Sequence, residues 1–281
     1  MPVTLSTGVP DDASRRAIRA LADRVEEADG AAALSDQART LLGSADVAQT
    51  VARDAEGVVL GYAQRAGDSA EVVGEPAALP ALLDAVLAPG VLIWTHGERS
   101  RLLAPLAERG LLRVRELLQL RRPLGDGAPL PADPPLPPGV EIRTFEPGRD
   151  DAALLAVNAA AFATHPEQGT WTQADLDARV AESWFSAAGV LLAVRGAQLL
   201  GFHWTKIHPD GFGEVYVLGV DPATQGTGLG KALLVRGLRL LADEGCPTAL
   251  LYVDGDNSAA VALYERLGFT RHDLDVQWAV R

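Results

Sequence analysis

The sequence predicts an α/β protein (α+β in some schemes) made of two tandem copies of one plan, each a mixed central sheet flanked by helices, with a degenerate N-terminal copy. Three observations predict it. Apolar runs at helical spacing alternate with β-branched runs through residues 140–281. A stretch with seven prolines, PLGDGAPLPADPPLPPG at 123–139, stands before them and reads as an extended, semi-rigid linker. The first half then echoes the second. Leu60-Gly61-Tyr62 matches Leu200-Gly201-Phe202, Glu71-Val72-Val73 matches Glu214-Val215-Tyr216, Trp94-Thr95-His96-Gly97 matches Tyr252-Val253-Asp254-Gly255, and Gly110-Leu111 matches Gly268-Phe269. The last two pairs share one offset of 158 residues, as a tandem duplication requires. The expected domains are residues 1–122 and 140–281, joined by the linker 123–139.

In the second half, Val140–Phe145 reads as a strand and Asp150–Phe162 as an amphipathic helix. Thr172–Trp184 reads as a second helix, because Thr172 can cap it and Asp175 follows three residues later. Strands are expected at Gly189–Arg195, Leu199–Ile207 and Glu214–Val220. A helix at Leu229–Asp243, a strand at Ala249–Val253, a helix at Ser258–Leu267 and a strand at Asp273–Val280 complete the domain. The first half is shorter where chemistry belongs. Val73 to Trp94 spans 21 residues against 35 from Val217 to Tyr252, so a glycine loop and part of a helix are missing. Leu106 stands in register with Tyr264. The N-terminal copy is therefore expected to be a poor catalyst.

A hydrophobic fraction of 48% with 22% charged residues suits two globular cores. The net charge of −12 argues against nucleic acid and anionic membrane as partners. The single cysteine, Cys246, excludes an intrachain disulfide and a cysteine-rich metal site, and its place between a helix and an apolar strand suits buried filler. The five histidines form no metal set, although His165 or His203 has the alternative of lining an acceptor cavity. MPVTLSTGVPDDASRR lacks the apolar core of a signal peptide. No run of 18 apolar residues lacks a charge, so a soluble, cytoplasmic, monomeric protein is expected.

EVYVLGVDPATQGTGLGK, from Glu214 to Lys231, carries the most chemical information. A β-branched strand breaks at Asp221-Pro222, turns through Gln225-Gly226-Thr227-Gly228-Leu229-Gly230, and enters a helix at once. Three glycines at alternate positions let backbone N–H groups turn inward beside a helix N-terminus, which makes a seat for a diphosphate. It is not the G-x-G-x-x-G dinucleotide fingerprint, and Lys231-Ala232 is not the Lys-Ser/Thr of a P-loop. Lys231, Arg236 and Arg239 are expected to set the local field.

Gln225, Gly228 and Gly230 resemble the acyl-CoA loop of the GCN5-related N-acetyltransferases (GNAT), Gln/Arg-x-x-Gly-x-Gly/Ala. Asn257, Ala260, Tyr264 and Gly268-Phe269 resemble that superfamily's second signature. The resemblance implies acetyl-CoA as cosubstrate, the pantetheine arm near Asn257, and Tyr264 as the acid that protonates the departing thiolate. A phenol with a pKa near 10 suits that task, while a core aromatic is the bland alternative. An α-amine of pKa about 7.7–8.0 needs modest base assistance. Glu214, opening the strand that enters the loop, is the candidate base, with a solvated strand-end carboxylate as its alternative. Backbone N–H groups beside Leu218–Val220 are candidates to stabilise the thioester oxygen.

Arg143–Thr172, Leu199–Pro222 and Gly110–Leu124 are similar to the mycothiol synthase family. This resemblance implies acetyl transfer to the cysteinyl amine of Cys-GlcN-Ins. It implies CoA contacts at Leu218, Gly219, Val220, Gln225, Gly226, Thr227, Gly228, Leu229, Gly230 and Lys231, and again at Asn257, Ser258, Ala259, Ala260, Val261 and Ala262. It implies acceptor contacts at Asp36, Glu167, Lys206, Glu214 and Tyr252. Asp36 departs from the Glu common in the family, and Lys206 has the alternative of a strand-edge surface lysine. Another small-amine or protein N-terminal acetyltransferase would share the loop and Tyr264, and a CoA-binding sensor would share the loop alone. The missing first loop leaves one expected CoA site.

Overall fold

The computed structural model describes residues 3–125, 127–165 and 168–280, and of Asp36 the backbone alone. The chain divides into two compact units. The first holds the residues up to Gln119, the four residues Asp254–Asn257 and the chain from His272 onward; the second holds Leu120–Val253 and Ser258–Arg271.

The first unit runs β1 (Thr4–Thr7), α1 (Asp12–Asp29), α2 (Asp36–Leu41), β2 (Ala48–Arg53), β3 (Val59–Ala66), β4 (Ser69–Gly74), α3 (Leu79–Val86), β5 (Leu92–Thr95), α4 (Leu103–Glu108) and most of β6 (Leu112–Pro123). Helix α1 starts where the Asp11 carboxylate accepts the Ser14 N–H at 2.8 Å, and stops at Gly30, whose φ of +75° suits a residue without Cβ. Its buried face, Ile18, Leu21, Ala22 and Val25, packs with Val51, Tyr62 and Val73. Helix α3 covers the opposite face with Leu79, Leu82, Leu83 and Val86. Burying a side chain of this size stabilises by about 1.5–3 kcal/mol.

The second unit continues with β7 (Glu141–Thr144), α5 (Asp151–Ala161), α6 (Gln173–Val180), β8 (Val190–Arg195), β9 (Gln198–Ile207), β10 (Gly213–Val220), α7 (Leu229–Asp243), β11 (Thr248–Asp254) and α8 (Ser258–Arg266), and β12 (Thr270–Ala279) follows. The ten elements from β7 to β12 repeat the order of the ten from β1 to β6. Every echoed sequence pair falls on equivalent elements. Strand β8 alternates: Leu191 and Ala193 face the α7 side with Leu229 and Leu233, while Val190, Leu192 and Val194 join Leu154, Val157 and Leu176 of α5 and α6. The sheet order here is β11-β10-β9-β8-β7.

Three boundaries differ from expectation. The capping box at Thr172 and Asp175 forms, but α6 ends at Val180 rather than near Trp184. The described linker residues lie against the second unit, where Arg122 donates to the carbonyls of Ala128 and Pro129 at 3.0 and 2.9 Å, and Arg239 donates to Pro131. The last strand, expected to complete the second domain, instead pairs with β5 in the first unit, between β5 and β6 in the strand order. Val276 to Ala279 pair antiparallel with Thr95 to Leu92, and Leu274, Val276 and Trp278 enter the first core. Trp278 Nε1 donates to the buried Thr95 hydroxyl at 3.0 Å, which leaves that indole N–H satisfied.

Candidate active site

Strands β10 and β11 are parallel neighbours for only two residue pairs, Gly213–Ala249 and Glu214–Leu250. Past Glu214, β10 stays paired with β9 alone, and its other edge opens. A β-bulge between Val215 and Val217 turns that edge further. Backbone groups of Val215–Val220 on that edge therefore have no pairing with β11. Leu218 and Val220 are half-buried and Gly219 is buried. A Cβ on Gly219 would stand 2.8 Å from the Phe202 ring, so only glycine keeps the strand seated there.

The loop after β10 is self-braced. Asp221 accepts the Ala223 N–H at 2.8 Å, and the Thr227 hydroxyl donates to the Thr224 carbonyl at 2.7 Å. Gly226 and Gly228 take φ of +77° and +85°, which a side chain would strain. Gly228 is the N-cap of α7 and supplies no side-chain acceptor, so the first-turn N–H groups of α7 remain available to an anion. Gln225, Gly226, Thr227 and Lys231 are exposed, Gly230 is half-buried and Leu229 is buried. Arg236 and Arg239, expected to add to the field at the loop, turn instead to Asp133 at 3.9 and 2.9 Å. Ser258, Ala259, Ala260, Val261 and Ala262 form the first turns of α8, whereas Asn257 falls in the short stretch that belongs to the first unit.

Glu214 sits at the point where the ladder ends. Its carboxylate is buried, 10% exposed, and Oε2 takes a hydrogen bond from His208 Nε2 at 2.7 Å. Lys206 lies directly across the β9–β10 ladder from Glu214. The ammonium of Lys206 stands 5.0 Å from the centroid of the Trp184 ring and 5.7 Å from that of Tyr216. Tyr216 packs edge-on and Trp184 tilted against Trp204, which is fully buried with Trp171 and Phe185 around it. Tyr252 is 44% exposed on β11. Asp36, by its side chain, and Glu167 lie outside the described residues.

Tyr264 is buried against Phe269, ring centroids 5.8 Å apart, and burial pushes its phenol up to about 12. It stays protonated at any working pH but is less closely matched to a thiol than an ordinary phenol. His203 does not line a cavity. It is fully buried with Nδ1 donating to the Leu233 carbonyl at 3.0 Å, and burial pulls it down to about 4 despite that carbonyl. His165 Nδ1 accepts from the Gln168 N–H at 3.0 Å. Among the described residues no group of three His, Cys, Asp or Glu is placed to hold a metal, and no helix is long and apolar enough to cross a membrane. Cys246 is buried, with its thiol pushed up by burial and by Glu244.

His208, whose ring meets the Glu214 carboxylate, has no assignment from the sequence. The available signal was the turn His208-Pro209-Asp210-Gly211 between two apolar runs, which folds the chain back, sets Lys206 opposite Glu214 and leaves the His208 ring within reach of its carboxylate.

The sequence profile of the Acetyltransferase (GNAT) family matches residues 157–269. A mycothiol acetyltransferase of Thermomonospora curvata is 49% identical over 276 residues, covering 93% of this chain and 92% of that protein. One from Streptomyces coelicolor is 50% identical over 280 residues, covering 93% and 90%. The chain belongs to the mycothiol acetyltransferase family. Membership makes it an acetyltransferase, with acetyl-CoA as acetyl donor and a small molecule as acceptor. Two solved structures give the fold independently. A GCN5-related N-acetyltransferase from Sphaerobacter thermophilus superposes with a TM-score of 0.74 at 23% identity, covering 98% of this chain and 94% of that one. A tandem GNAT protein from the clavulanic acid biosynthesis pathway superposes at 0.73 and 17% identity, covering 99% and 98%. The family fold is thus a tandem GNAT, as expected.

Proposed function

We propose that this chain transfers the acetyl group of acetyl-CoA to the cysteinyl amine of Cys-GlcN-Ins, giving mycothiol and CoA. The observation that carries the chemistry is Glu214, a buried carboxylate standing where β10 and β11 part. In this reading the diphosphate lies on Gln225–Lys231 and the first turn of α7. The pantetheine arm passes Leu218, Gly219 and Val220 and meets Ser258, Ala259, Ala260, Val261 and Ala262, and Asn257 is assigned to it by family resemblance alone. The thioester carbonyl then faces backbone N–H groups of the open edge, which stabilise the developing oxyanion.

Glu214 takes the proton that the ammonium must lose, the amine nitrogen bonds to the acetyl carbon, the carbon–sulfur bond breaks, and the second proton lost by that nitrogen ends on the sulfur, so that CoA leaves as the thiol. Tyr264 donates a hydrogen bond to the thiolate. Lys206, Tyr252 and Glu214 supply polar contacts to the sugar–inositol acceptor, and Asp36 and Glu167 are assigned to it by family resemblance alone. The test is incubation with acetyl-CoA and Cys-GlcN-Ins, read by mass spectrometry. The expected product is one acetyl group heavier than the acceptor, and Glu214→Gln lowers its rate by roughly 10²-fold or more. A Glu214→Gln variant as fast as wild type would remove the base assignment.

A further inference from the structure

We infer that His208 is the positioning residue of the acetyl-transfer site, anchoring one oxygen of Glu214 so that the other faces the acceptor amine. This rests on the acetyl-transfer reading above and adds a residue to it. With a carboxylate facing it, Nε2 of His208 carries the proton and donates to Oε2 of Glu214 at 2.7 Å. No described residue donates to Oε1. The carboxylate thus has one fixed oxygen and one open oxygen, which is what a base needs to meet a proton in a defined direction.

The imidazole is itself held by the hairpin. The His208 N–H donates to the Phe212 carbonyl at 2.8 Å, and the Gly211 N–H donates to the His208 carbonyl at 2.9 Å. Pro209 fixes its own φ, the Asp210 carboxylate accepts the Phe212 N–H at 3.1 Å, and Gly211 has a φ of +87°. The guanidinium of Arg121 covers the Phe212 ring at 5.0 Å. Each device narrows the turn that carries the ring.

The first unit supplies a contrast within the same chain. Glu71 is the echo of Glu214, and the parallel β4–β5 ladder likewise ends at Glu71, opposite Trp94. Both oxygens of Glu71 are occupied: Oε1 by the Ser35 hydroxyl, Oε2 by the Ser35 N–H at 2.7 Å and by His96 at 3.3 Å. Glu71 thus has no oxygen without a donor already on it. Glu214, held by one histidine on one side, keeps one.

The test is a double-mutant cycle in the full chain, measuring acetyl-CoA turnover with Cys-GlcN-Ins. His208→Phe keeps the ring shape but no donor, and is expected to lower kcat about 10- to 100-fold with the KM for acetyl-CoA within about twofold. His208→Gln restores an N–H donor and is expected to regain most of that loss. In a Glu214→Gln background, His208→Phe is expected to cost nothing further, because its effect passes through the carboxylate. Equal losses in His208→Phe and His208→Gln, or the same loss in both backgrounds, would overturn the inference, and the background comparison decides even if His208→Phe is poorly folded. A wild type that makes no acetylated acceptor would instead overturn the reading on which the inference rests.

Discussion

Replacing Tyr264 by Phe removes one hydroxyl and keeps the ring that packs 5.8 Å from Phe269. The size of the effect follows from the phenol's surroundings. Burial holds it at about 12, whereas an aliphatic thiol ionises near 8.5, so complete proton transfer to the CoA thiolate is uphill by ~5 kcal/mol. The hydroxyl therefore acts by donating a charge-assisted hydrogen bond to the sulfur as it leaves, a contact that contributes about 1.5–3 kcal/mol. Losing it should lower kcat roughly 10- to 150-fold. Burial also fixes the pH dependence. Tyr264 loses its proton only near pH 12, so wild-type kcat should show no falling limb from this group between pH 6 and 10. Product formation followed by mass spectrometry across that range, for wild type and Tyr264→Phe, measures both. A variant within twofold of wild type refutes the role. A wild-type falling limb near pH 9 that vanishes in the variant refutes the argument from burial.

Calorimetric titration with CoA should give one site per chain. The first copy joins β4 to α3 by four residues, Glu75–Ala78, where the second uses eight, and Arg101 reaches the Gly74 carbonyl and the Asp29 carboxylate at that end of β4. Two equivalent sites would contradict this. The buried Glu71–His96–Asp275 group predicts a pH-dependent stability. Burial opposes charge on His96, but hydrogen bonds to Asp275 and Glu71 outweigh it and raise the ring to about 10. A raised histidine contributes stability that is complete below the unfolded value of about 6.5 and is lost as pH rises through about 10. His96→Gln should cost about 3–5 kcal/mol at pH 7, since two buried carboxylates lose their cation, and the difference from wild type should shrink toward pH 10. A urea-unfolding difference constant from pH 7 to 10 would refute the assignment.

Most of the second unit was legible because local signals agreed with one another. The Thr172–Asp175 box, the Asp221-Pro222 break and the apolar run of β8 each report on a few neighbouring residues, and each gives the expected local structure. What escaped were relations between distant residues. Nothing in the alternation of DLDVQWAV specifies that it pairs with Leu92–Thr95 rather than within its own half, since both edges accept the same pattern. Thr172–Trp184 overran because Trp184 leaves the helical face to join Trp204 and Tyr216. His203 and His208 are two of the five histidines that form no metal set by sequence. The two differ by burial, a property their shared strand pattern does not encode. His203 is sealed under Leu233, and His208 reaches over the turn to Glu214.

The most direct test of acetyl transfer to the cysteinyl amine is fragmentation of the product formed from acetyl-CoA and Cys-GlcN-Ins. The expected product carries the added acetyl on the cysteinyl nitrogen and a thiol that still takes up one alkylating group. No product, or an acetyl on sulfur with a free amine, would contradict it.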